Sequence, residues 1–311
     1  MGQSMYIGID LGGTKTEIVA LDRKNNEELY RKRVQTPKKS YDTVIRTIAD
    51  LVIEAESYLK KTGTVGIGIP GAISPLTRKV KNANLQVLNG NSLEDSLGEL
   101  LQREVRCAND ANCLALSEAI DGAAAGYSVV FGAILGTGCG GGLAFSNKAW
   151  AGKNFVCGEW GHNPLPWMTK EEYPGHKCWC GQVGCQELYL SGTGFALDYA
   201  IKNTKGKVVT TGAEIIKRMH NGESAAKDCF DRYINRLSRA LATVINLLDP
   251  DAIVLGGGMS NIDEIYDLVP QQLPDYVFGK EVMTPILRNQ HGDSSGVRGA
   301  AWLFAEDKGW K

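Results

Sequence analysis

The order strand, glycine turn, strand occurs twice in this chain, and it constrains the fold more than any other feature. An apolar run at residues 6–10 precedes the turn Gly12-Gly13, and a second β-branched run follows at residues 16–21. The same order returns where residues 129–135 and 143–145 flank a glycine-rich stretch. We therefore predict an α/β fold that arose by internal duplication, with two similar domains whose glycine turns face each other across a cleft.

Apolar residues at helical spacing alternate with the strand patterns, as an α/β chain requires. This spacing predicts helices over residues 40–61, 92–103, 111–124 and 230–248, and strands over residues 64–69, 105–108 and 251–255. A run of small residues, 122–126, interrupts the alternation, and we place the domain boundary there.

Charge and hydropathy exclude two classes of function. The 311 residues include 34 basic and 35 acidic side chains, so no basic excess is present to neutralise nucleic-acid phosphates. No apolar run approaches the roughly 20 residues that a membrane helix needs. The chain also begins without a basic segment followed by an apolar one, so we expect a cytoplasmic protein with reduced cysteines.

Three cysteines lie within eight residues, at Cys178, Cys180 and Cys185, shortly after His162. Three thiolates and one imidazole form a closed tetrahedral site for a structural Zn²⁺. His176 is the alternative fourth ligand, and ordinary buried thiols or disulfides are the alternatives to a metal. The other cysteines are scattered singly, which favours packed apolar positions.

The first glycine turn has the chemistry of a phosphate loop. Its sequence, Asp10-Leu-Gly-Gly-Thr-Lys15, joins strand to strand, which excludes a Walker A loop and a dinucleotide fingerprint because each of those opens a helix. Backbone N–H groups of glycines can turn toward an anion, and Asp10 can hold Mg²⁺ through water. Glycines at 136–138 and 256–258 also follow strands. Together the three turns predict a nucleotide site, and a plain β-turn is the alternative for each.

Asn109-Asp110 follows a predicted strand and precedes a predicted helix. Asp110 is therefore either the N-cap of that helix or a general base that accepts a hydroxyl proton during phosphoryl transfer. Glu159, His162 and Glu187 are hydrogen-bonding residues that suit a polyhydroxylated substrate such as a sugar.

Six motifs in order along the chain resemble the ROK family of repressors, open reading frames and sugar kinases. They are Asp10-x-Gly-Gly-Thr-Lys15, Asn109-Asp-Ala-Asn112, Gly136-Thr-Gly138, Gly158-Glu-x-Gly-His162, Cys178-x-Cys-Gly-x-x-Gly-Cys185-x-Glu187 and Gly256-Gly-Gly258. Longer runs, including residues 109–126, 158–168 and 291–302, are similar to the bacterial fructokinase (manno-fructokinase) branch of that family.

The resemblance implies an actin-like ATPase (ribonuclease H-like) fold with a hexose bound in the cleft between two domains. It implies ATP with Mg²⁺ as phosphoryl donor, a structural Zn²⁺, and a homodimer. The expected reaction is phosphorylation of a hexose 6-hydroxyl, with fructose as the first expectation and mannose as a possible second substrate. N-acetylglucosamine kinase or glucokinase is the alternative within the family, and a non-catalytic sugar-binding regulator is the third reading.

The resemblance also assigns residues. Asp110 is the implied catalytic base, and the sugar contacts are Asn109, Asp110, Glu159, His162 and Glu187. The nucleotide contacts are Gly8, Ile9, Asp10, Leu11, Gly12, Gly13, Thr14, Lys15, Gly136, Thr137, Gly138, Cys139, Gly140, Gly141, Gly142, Gly257 and Gly258. The implied zinc ligands are His162, Cys178, Cys180 and Cys185, with the two ring nitrogens of His162 serving metal and sugar. A C-terminal helix over residues 294–306 is expected to pack on the first domain, so the domains are residues 5–122 plus 294–311, and 123–293.

Overall fold

Two five-stranded sheets form the framework of the chain. The computed structural model describes residues 4–203, 210–292 and 295–308. The strands are β1 (Met5–Leu11), β2 (Lys15–Asp22), β3 (Glu28–Gln35), β4 (Gly63–Ile69), β5 (Ala72–Ile73), β6 (Val80–Lys81), β7 (Val105–Asn109), β8 (Val129–Leu135), β9 (Cys139–Phe145), β10 (Lys148–Ala149), β11 (Ala252–Gly256) and β12 (Ile286–Arg288). The α-helices are α1 (Tyr41–Leu59), α2 (Leu93–Leu101), α3 (Asp110–Ile120), α4 (Glu187–Leu190), α5 (Gly192–Asn203), α6 (Gly212–His220), α7 (Ser224–Leu248), α8 (Glu264–Gln272) and α9 (Ser295–Ala301).

The two sheets share one strand order. The first is β3-β2-β1-β4-β7 and the second is β10-β9-β8-β11-β12. In the first sheet β1, β2 and β3 pair antiparallel, whereas β1, β4 and β7 pair parallel. In the second, β9 and β10 pair antiparallel, and β8, β11 and β12 pair parallel. The predicted α/β fold is confirmed, and the repeated order agrees with internal duplication.

Contacts group the chain into two units. Unit 1 comprises Met1–Ser128, Gly142–Gly158 and Gln290–Lys311, and unit 2 comprises Val129–Gly141 and Glu159–Asn289. Residues 142–158 therefore group with unit 1, although the sequence placed them in the second domain. Within unit 1, Gly142 lies so close to α3 that a Cβ would overlap the carbonyl oxygen of Ala111. The domain boundaries given above stay a prediction.

The helix α1 illustrates how the sequence determines local structure in unit 1. The hydroxyl of Ser40 accepts a hydrogen bond from the backbone N–H of Thr43 and caps the first turn. Apolar residues recur at helical spacing along one face, including Val44, Ile48 and Val52, and this face is buried in the core beneath the first sheet.

Helix α9 packs on β1 and β4 at backbone contact distance because glycines line the interface. A Cβ at Gly8 would overlap the carbonyl oxygen of Val297, and one at Gly66 would overlap that of Ala300. A Cβ at Gly299 would overlap the carbonyl oxygen of Cys113 on α3. The C-terminal helix thus packs on one face of the first sheet. The family resemblance implied this packing.

Four helices, α1, α2, α3 and α9, end earlier than predicted, and the difference is largest for α3 and α9. Helix α3 ends at Ile120 rather than residue 124, and its C-cap is Asp121. A Cβ at Gly122 would overlap the Glu118 side chain. The predicted C-terminal helix starts at residue 294, which lies outside the described residues, and its regular α-helical part ends at Ala301. It continues as a 3₁₀ helix, Trp302–Lys308, in which the buried Trp302 ring packs on Tyr6 at 5.2 Å.

Helix α7 carries a buried ionic cluster in unit 2. Both Arg236 and Arg239 are buried and contact the carboxylate of Glu172, with Arg236 Nε 2.8 Å from Oε1 and Arg239 Nη1 3.0 Å from Oε2. Arg239 also donates to the carbonyl oxygens of Pro166 and Trp167. The cluster holds the segment that leads into the cysteine region. No helix in the described residues is both long and apolar enough to cross a bilayer.

Candidate functional site

The first glycine turn is held in shape by a buried threonine. The backbone N–H of Gly12 donates to the carbonyl oxygen of Lys15 at 3.0 Å, and the Thr36 hydroxyl donates to the carbonyl oxygen of Gly12 at 2.7 Å. The Thr36 N–H also donates to the carbonyl oxygen of Thr14 at 3.0 Å. No heavy atom of the described residues lies within 4 Å of a Cβ built on Gly13. The turn is therefore preformed and open on one side, as a phosphate loop must be.

Not every residue assigned to this loop points into it. The side chains of Ile9 and Leu11 are fully buried in the core. Gly8 packs against α9, so its lack of a Cβ is explained by helix packing. Thr14 and Lys15 are exposed at the turn, where a ligand could contact them.

Asp10 lies at the carboxyl end of β1 among other acidic side chains. Burial raises the pKa of Asp10 to about 7, and the negative charges of Asp110 and Glu17 add to this effect. Two carboxylates that disfavour each other's charge are stabilised by a divalent cation, and oxygen ligands are those that Mg²⁺ prefers. The donor set therefore fits the magnesium ion that the sequence predicts at Asp10.

The N-cap of α3 is Asn109 rather than Asp110. The side-chain oxygen of Asn109 accepts from the Ala111 N–H at 2.9 Å, and its amide donates to the carbonyl oxygen of Gly71 at 3.1 Å. Asp110 is the first residue of the helix and is partly exposed. Its Oδ1 lies 2.9 Å from the same N–H, where the helix dipole stabilises a carboxylate. Since Asn109 already caps the helix, Asp110 is not required for capping.

In unit 2 the second glycine turn is shorter than predicted. The turn comprises residues 136–138, whereas residues 139–142, with Cys139 among them, belong to β9. The Trp160 ring donates to the carbonyl oxygen of Gly140 at 2.7 Å, and Gly161 packs directly on Cys139. This contact places the segment of Glu159 and His162 beside the turn. The Glu159 carboxylate is exposed and has no hydrogen-bond partner in the described part of the chain.

Glu187 joins the second glycine turn to the cysteine region. One carboxylate oxygen accepts from the Cys139 N–H at 3.1 Å, and the other accepts from the Trp179 ring at 2.7 Å. The Trp179 ring also packs edge-on against His162 at 4.9 Å. Sequence reasoning gave Trp179 no role, although its position between two candidate metal ligands was a usable signal.

The four predicted zinc ligands come together, and His162 rather than His176 is the imidazole among them. The ligand atoms of His162, Cys178, Cys180 and Cys185 lie within 4.8 Å of one another. Cys178 Sγ is 3.7 Å from His162 Nδ1, and Cys180 Sγ is 3.6 Å from Cys185 Sγ.

These separations fit a metal. A tetrahedral site with Zn–S bonds of about 2.3 Å has ligand separations of about 3.8 Å. A hydrogen bond from the Gln182 N–H lowers the pKa of Cys180, whereas burial raises the pKa of Cys185 to about 12. A bound cation would displace such protons. With Nδ1 facing the thiols, the Nε2 atom of His162 is the nitrogen left for another partner.

Unit 2 also contains a pocket of about 820 Å³ at the third glycine turn. Gly136, Thr137 and Gly258 line it, so the structure brings together two of the three predicted glycine elements. Gly257 does not line the pocket, and a Cβ at this position would overlap the Leu135 backbone. Sequence reasoning missed the other lining residues, which are Gly192, Thr193, Ala196, Thr210, Thr211, Gly212, Ala213, Ile216, Met259, Asn261 and Ile262. Its size and its mixed apolar and hydroxyl lining suit a nucleoside.

Comparisons with known proteins agree with this arrangement. The family model described as "ROK family" matches residues 6–307. The chain is 41% identical over 307 residues to an N-acetyl-D-glucosamine kinase of Pectobacterium carotovorum, covering 97% of this chain and 100% of that protein. It is 39% identical over 305 residues to an N-acetyl-D-glucosamine kinase of Haemophilus influenzae, covering 96% and 99%.

Solved structures show the same fold. A ROK hexokinase from Thermus thermophilus has a TM-score of 0.85 and 26% identity, covering 98% of this chain and 99% of that one. A ROK family glucokinase from Streptomyces griseus, in complex with glucose and AMPPNP, has a TM-score of 0.76 and 28% identity, covering 97% and 99%. The predicted actin-like fold is that of these structures.

Proposed function

The chain belongs to the ROK family, and from this premise we propose that it is an ATP-dependent kinase that phosphorylates the 6-hydroxyl of N-acetyl-D-glucosamine. The observation that carries the choice of sugar is the identity of about 40% to N-acetyl-D-glucosamine kinases over nearly the whole chain. The sequence named this sugar only as the alternative to fructose. The relatives favour the alternative, so the proposal replaces fructose.

We propose that ATP binds at the three glycine turns and at the pocket that the second and third turns line. The 820 Å³ pocket beside Gly136, Thr137 and Gly258 is large enough for adenosine. The preformed turn at Gly12 and Gly13 offers backbone N–H groups to phosphate oxygens. The AMPPNP complex of the Streptomyces griseus relative supports nucleotide binding by this fold.

In the proposed reaction Asp110 accepts the proton of the sugar 6-hydroxyl as the γ-phosphoryl group arrives. Asp110 is the first residue of α3, and a general base contributes about 10²- to 10⁴-fold to rate. Asp10 would hold the Mg²⁺ ion, which neutralises phosphate charge when bound. Positioning and charge neutralisation supply most of the remaining catalysis in phosphoryl transfer.

We propose that Asn109, Glu159, Glu187 and the Nε2 atom of His162 bind the sugar hydroxyls. The structure supports this role because the Glu159 carboxylate is exposed and both Glu187 oxygens are held by donors. A Zn²⁺ ion held by His162 and the three cysteines would fix the imidazole and the Trp179 ring that orients Glu187. The two-domain division and the homodimer remain part of the proposal.

The test is a substrate panel. Purified protein with ATP and Mg²⁺ is supplied with N-acetylglucosamine, glucose, fructose, mannose or N-acetylmannosamine, and ADP release is measured. We expect kcat/KM to be highest with N-acetylglucosamine, and nuclear magnetic resonance of the product to show phosphate at C6. Higher kcat/KM with fructose would restore the first prediction, and no ADP release with any sugar would favour a sugar-binding regulator.

A further inference from the structure

A row of three charged side chains crosses the first sheet beside the carboxyl end of β1. In the register of the strands, Asp10 lies opposite Glu17 of β2, and Glu17 lies opposite Arg33 of β3. Side chains that are directly opposite on neighbouring strands point to the same face of the sheet, with their Cβ atoms about 5 Å apart. The row therefore places a carboxylate and a guanidinium on the face of the sheet that carries Asp10. The proposed reaction uses neither of them.

Glu17 is buried, at 4% exposure, and its carboxylate is held by two arginines of β3. Arg33 donates from Nε and Nη2 to the Oε2 atom of Glu17, with Nε at 3.0 Å. Arg31 Nη1 lies 3.4 Å from the other carboxylate oxygen. A carboxylate removed from water needs such donors, because a buried charge without a partner is costly. Glu17 and Arg33 thus hold each other in place, and the Arg33 side chain is still 42% exposed.

The surroundings of Asp10 are acidic, and Arg33 is a cation that acts on them. Burial and the negative charges of Asp110 and Glu17 raise the pKa of Asp10 to about 7, whereas the positive charge of Arg33 acts in the opposite direction. The guanidinium is therefore near enough to Asp10 to interact with a charge there. ATP phosphates that approach this carboxylate add negative charge to an acidic region, so each cation that the protein fixes nearby stabilises them.

Arg33 is also close to the first glycine turn. The next opposed pair of residues on the same face is Lys15 of β2 with Gln35 of β3. That pair lies two residues nearer to the turn, which is about 7 Å along the strands. Thr36, directly after Gln35, donates to the carbonyl oxygen of Gly12 in the turn itself. An arginine side chain is about as long as this separation, so the Arg33 guanidinium and a phosphate at the turn are within reach of each other.

We infer that Arg33, held by Glu17, donates hydrogen bonds to phosphate oxygens of the bound nucleotide, an inference that rests on the proposed function. A guanidinium carries five N–H donors in a planar fork, so it can hold a carboxylate along one edge and a phosphate along another. Positive charge placed there neutralises charge on the phosphoryl group during transfer. Arg31 has only a structural role. It holds the same carboxylate but lies opposite Val19, one pair farther from the turn.

The test compares the two arginines that share one carboxylate. Arg33→Gln and its matched control, Arg31→Gln, each remove one guanidinium from the same strand, the same face and the same partner. The Kd of ADP is measured by isothermal titration calorimetry with and without Mg²⁺, and the magnesium-free value excludes an effect through an ion at Asp10. We expect Arg33→Gln to raise this Kd about tenfold or more, because hydrogen bonds to charged groups are of that size. Arg31→Gln should change it by less than about twofold, since solvent screens a more distant charge. The KM for N-acetylglucosamine should be the same in both variants.

Glu17→Gln tests whether Glu17 positions Arg33. It should weaken ADP binding when Arg33 is present and weaken it no further when Arg33 has been replaced by glutamine, whereas a purely structural role gives the same change in both backgrounds. The double variant removes the buried carboxylate together with its partner, so it leaves no unpaired charge there. If Arg33→Gln alone does not fold, the double variant decides, and it should bind ADP several-fold more weakly than the wild-type protein.

The outcomes separate the two proposals. If the wild-type protein binds ADP and phosphorylates a sugar but Arg33→Gln binds ADP as tightly as Arg31→Gln does, the role of Arg33 is overturned alone. Equal effects of Glu17→Gln in both backgrounds would overturn the positioning role of Glu17. If the wild-type protein neither binds ADP nor releases it with any sugar, the proposed kinase is overturned and the role of Arg33 with it.

Discussion

The ionic cluster of Glu172, Arg236 and Arg239 in unit 2 makes the free energy of unfolding depend on pH. One substitution isolates its contribution. Burial alone would raise the pKa of Glu172, but hydrogen bonds from Arg239 and Arg236 outweigh it and lower the pKa from its ordinary value of 4.5 to about 2. The Glu172 side chain is only 8% exposed, so solvent screens these contacts little. The perturbation is Glu172→Gln, which removes the charge and keeps the shape.

The magnitude follows from linkage. A carboxyl group with a lowered pKa stabilises the folded state above its unfolded pKa, and this stabilisation is lost as pH falls through the folded pKa. A difference of about 2.5 pKa units corresponds to about 3 kcal/mol at pH 7, at 1.36 kcal/mol per unit. At pH 3, between the two pKa values, only about 1.4 kcal/mol should remain.

The assay is urea unfolding followed by tryptophan fluorescence at pH 7 and pH 3. The difference in free energy of unfolding between the wild-type protein and Glu172→Gln should fall by about 2 kcal/mol between these values. Carboxyl groups outside the cluster titrate in both proteins and cancel in this difference, whereas Asp198, which also contacts Arg236, is part of the cluster. Glu99→Gln is the control, since the Glu99 carboxylate is exposed and has no hydrogen-bond or ion-pair partner among the described residues. A difference that is the same at both pH values would refute the reasoning.

Three further predictions concern the proposed site. Asp110→Asn should lower kcat by about 100-fold or more at an unchanged unfolding temperature, measured by ADP release, and near-normal turnover would remove Asp110 from the mechanism. Cys180→Ala should lose zinc in elemental analysis and raise KM for the sugar, whereas Cys157→Ala should keep both, and a wild-type protein purified without zinc would contradict the metal assignment. Thr36→Val should raise KM for ATP several-fold, because the hydroxyl that holds the carbonyl oxygen of Gly12 is lost, and an unchanged KM would show that the turn keeps its shape without it.

The fold could be predicted because its signals are local. Period-two apolar runs, helical spacing and glycines at strand ends each depend on a few neighbouring residues, and these patterns repeat in the two halves of the chain. The signal for the zinc site is also local, because one short segment supplies three of the four predicted ligands. The sequence favours His162 over His176 because a Pro174-Gly175 turn precedes His176 and no acidic neighbour accompanies it, and the structure places His162 in the group.

What the sequence did not reveal depends on contacts between distant residues. The Thr36 hydroxyl reaches Gly12 across the sheet, and Trp179 reaches Glu187 across the cysteine region. No spacing of residues in the sequence predicts either pairing. Glycine is also ambiguous, since packing requires the small size of Gly8 and Gly142, which the family resemblance assigns to nucleotide binding. A missing Cβ indicates close approach but does not say whether the neighbour is a phosphate or a helix.

The close packing of α9 on glycines of the first sheet affects how the protein folds during synthesis. β1 leaves the ribosome long before α9, so Gly8 and Gly66 lack their packing partners until Val297 and Ala300 have been synthesised. Domains whose residues are contiguous can fold during synthesis, whereas unit 1 must wait for its last segment. A nascent chain that has not reached these residues, or a chain shortened by a premature stop codon, would expose the first sheet to chaperones and proteases. Every residue proposed for chemistry would already be present in such a chain.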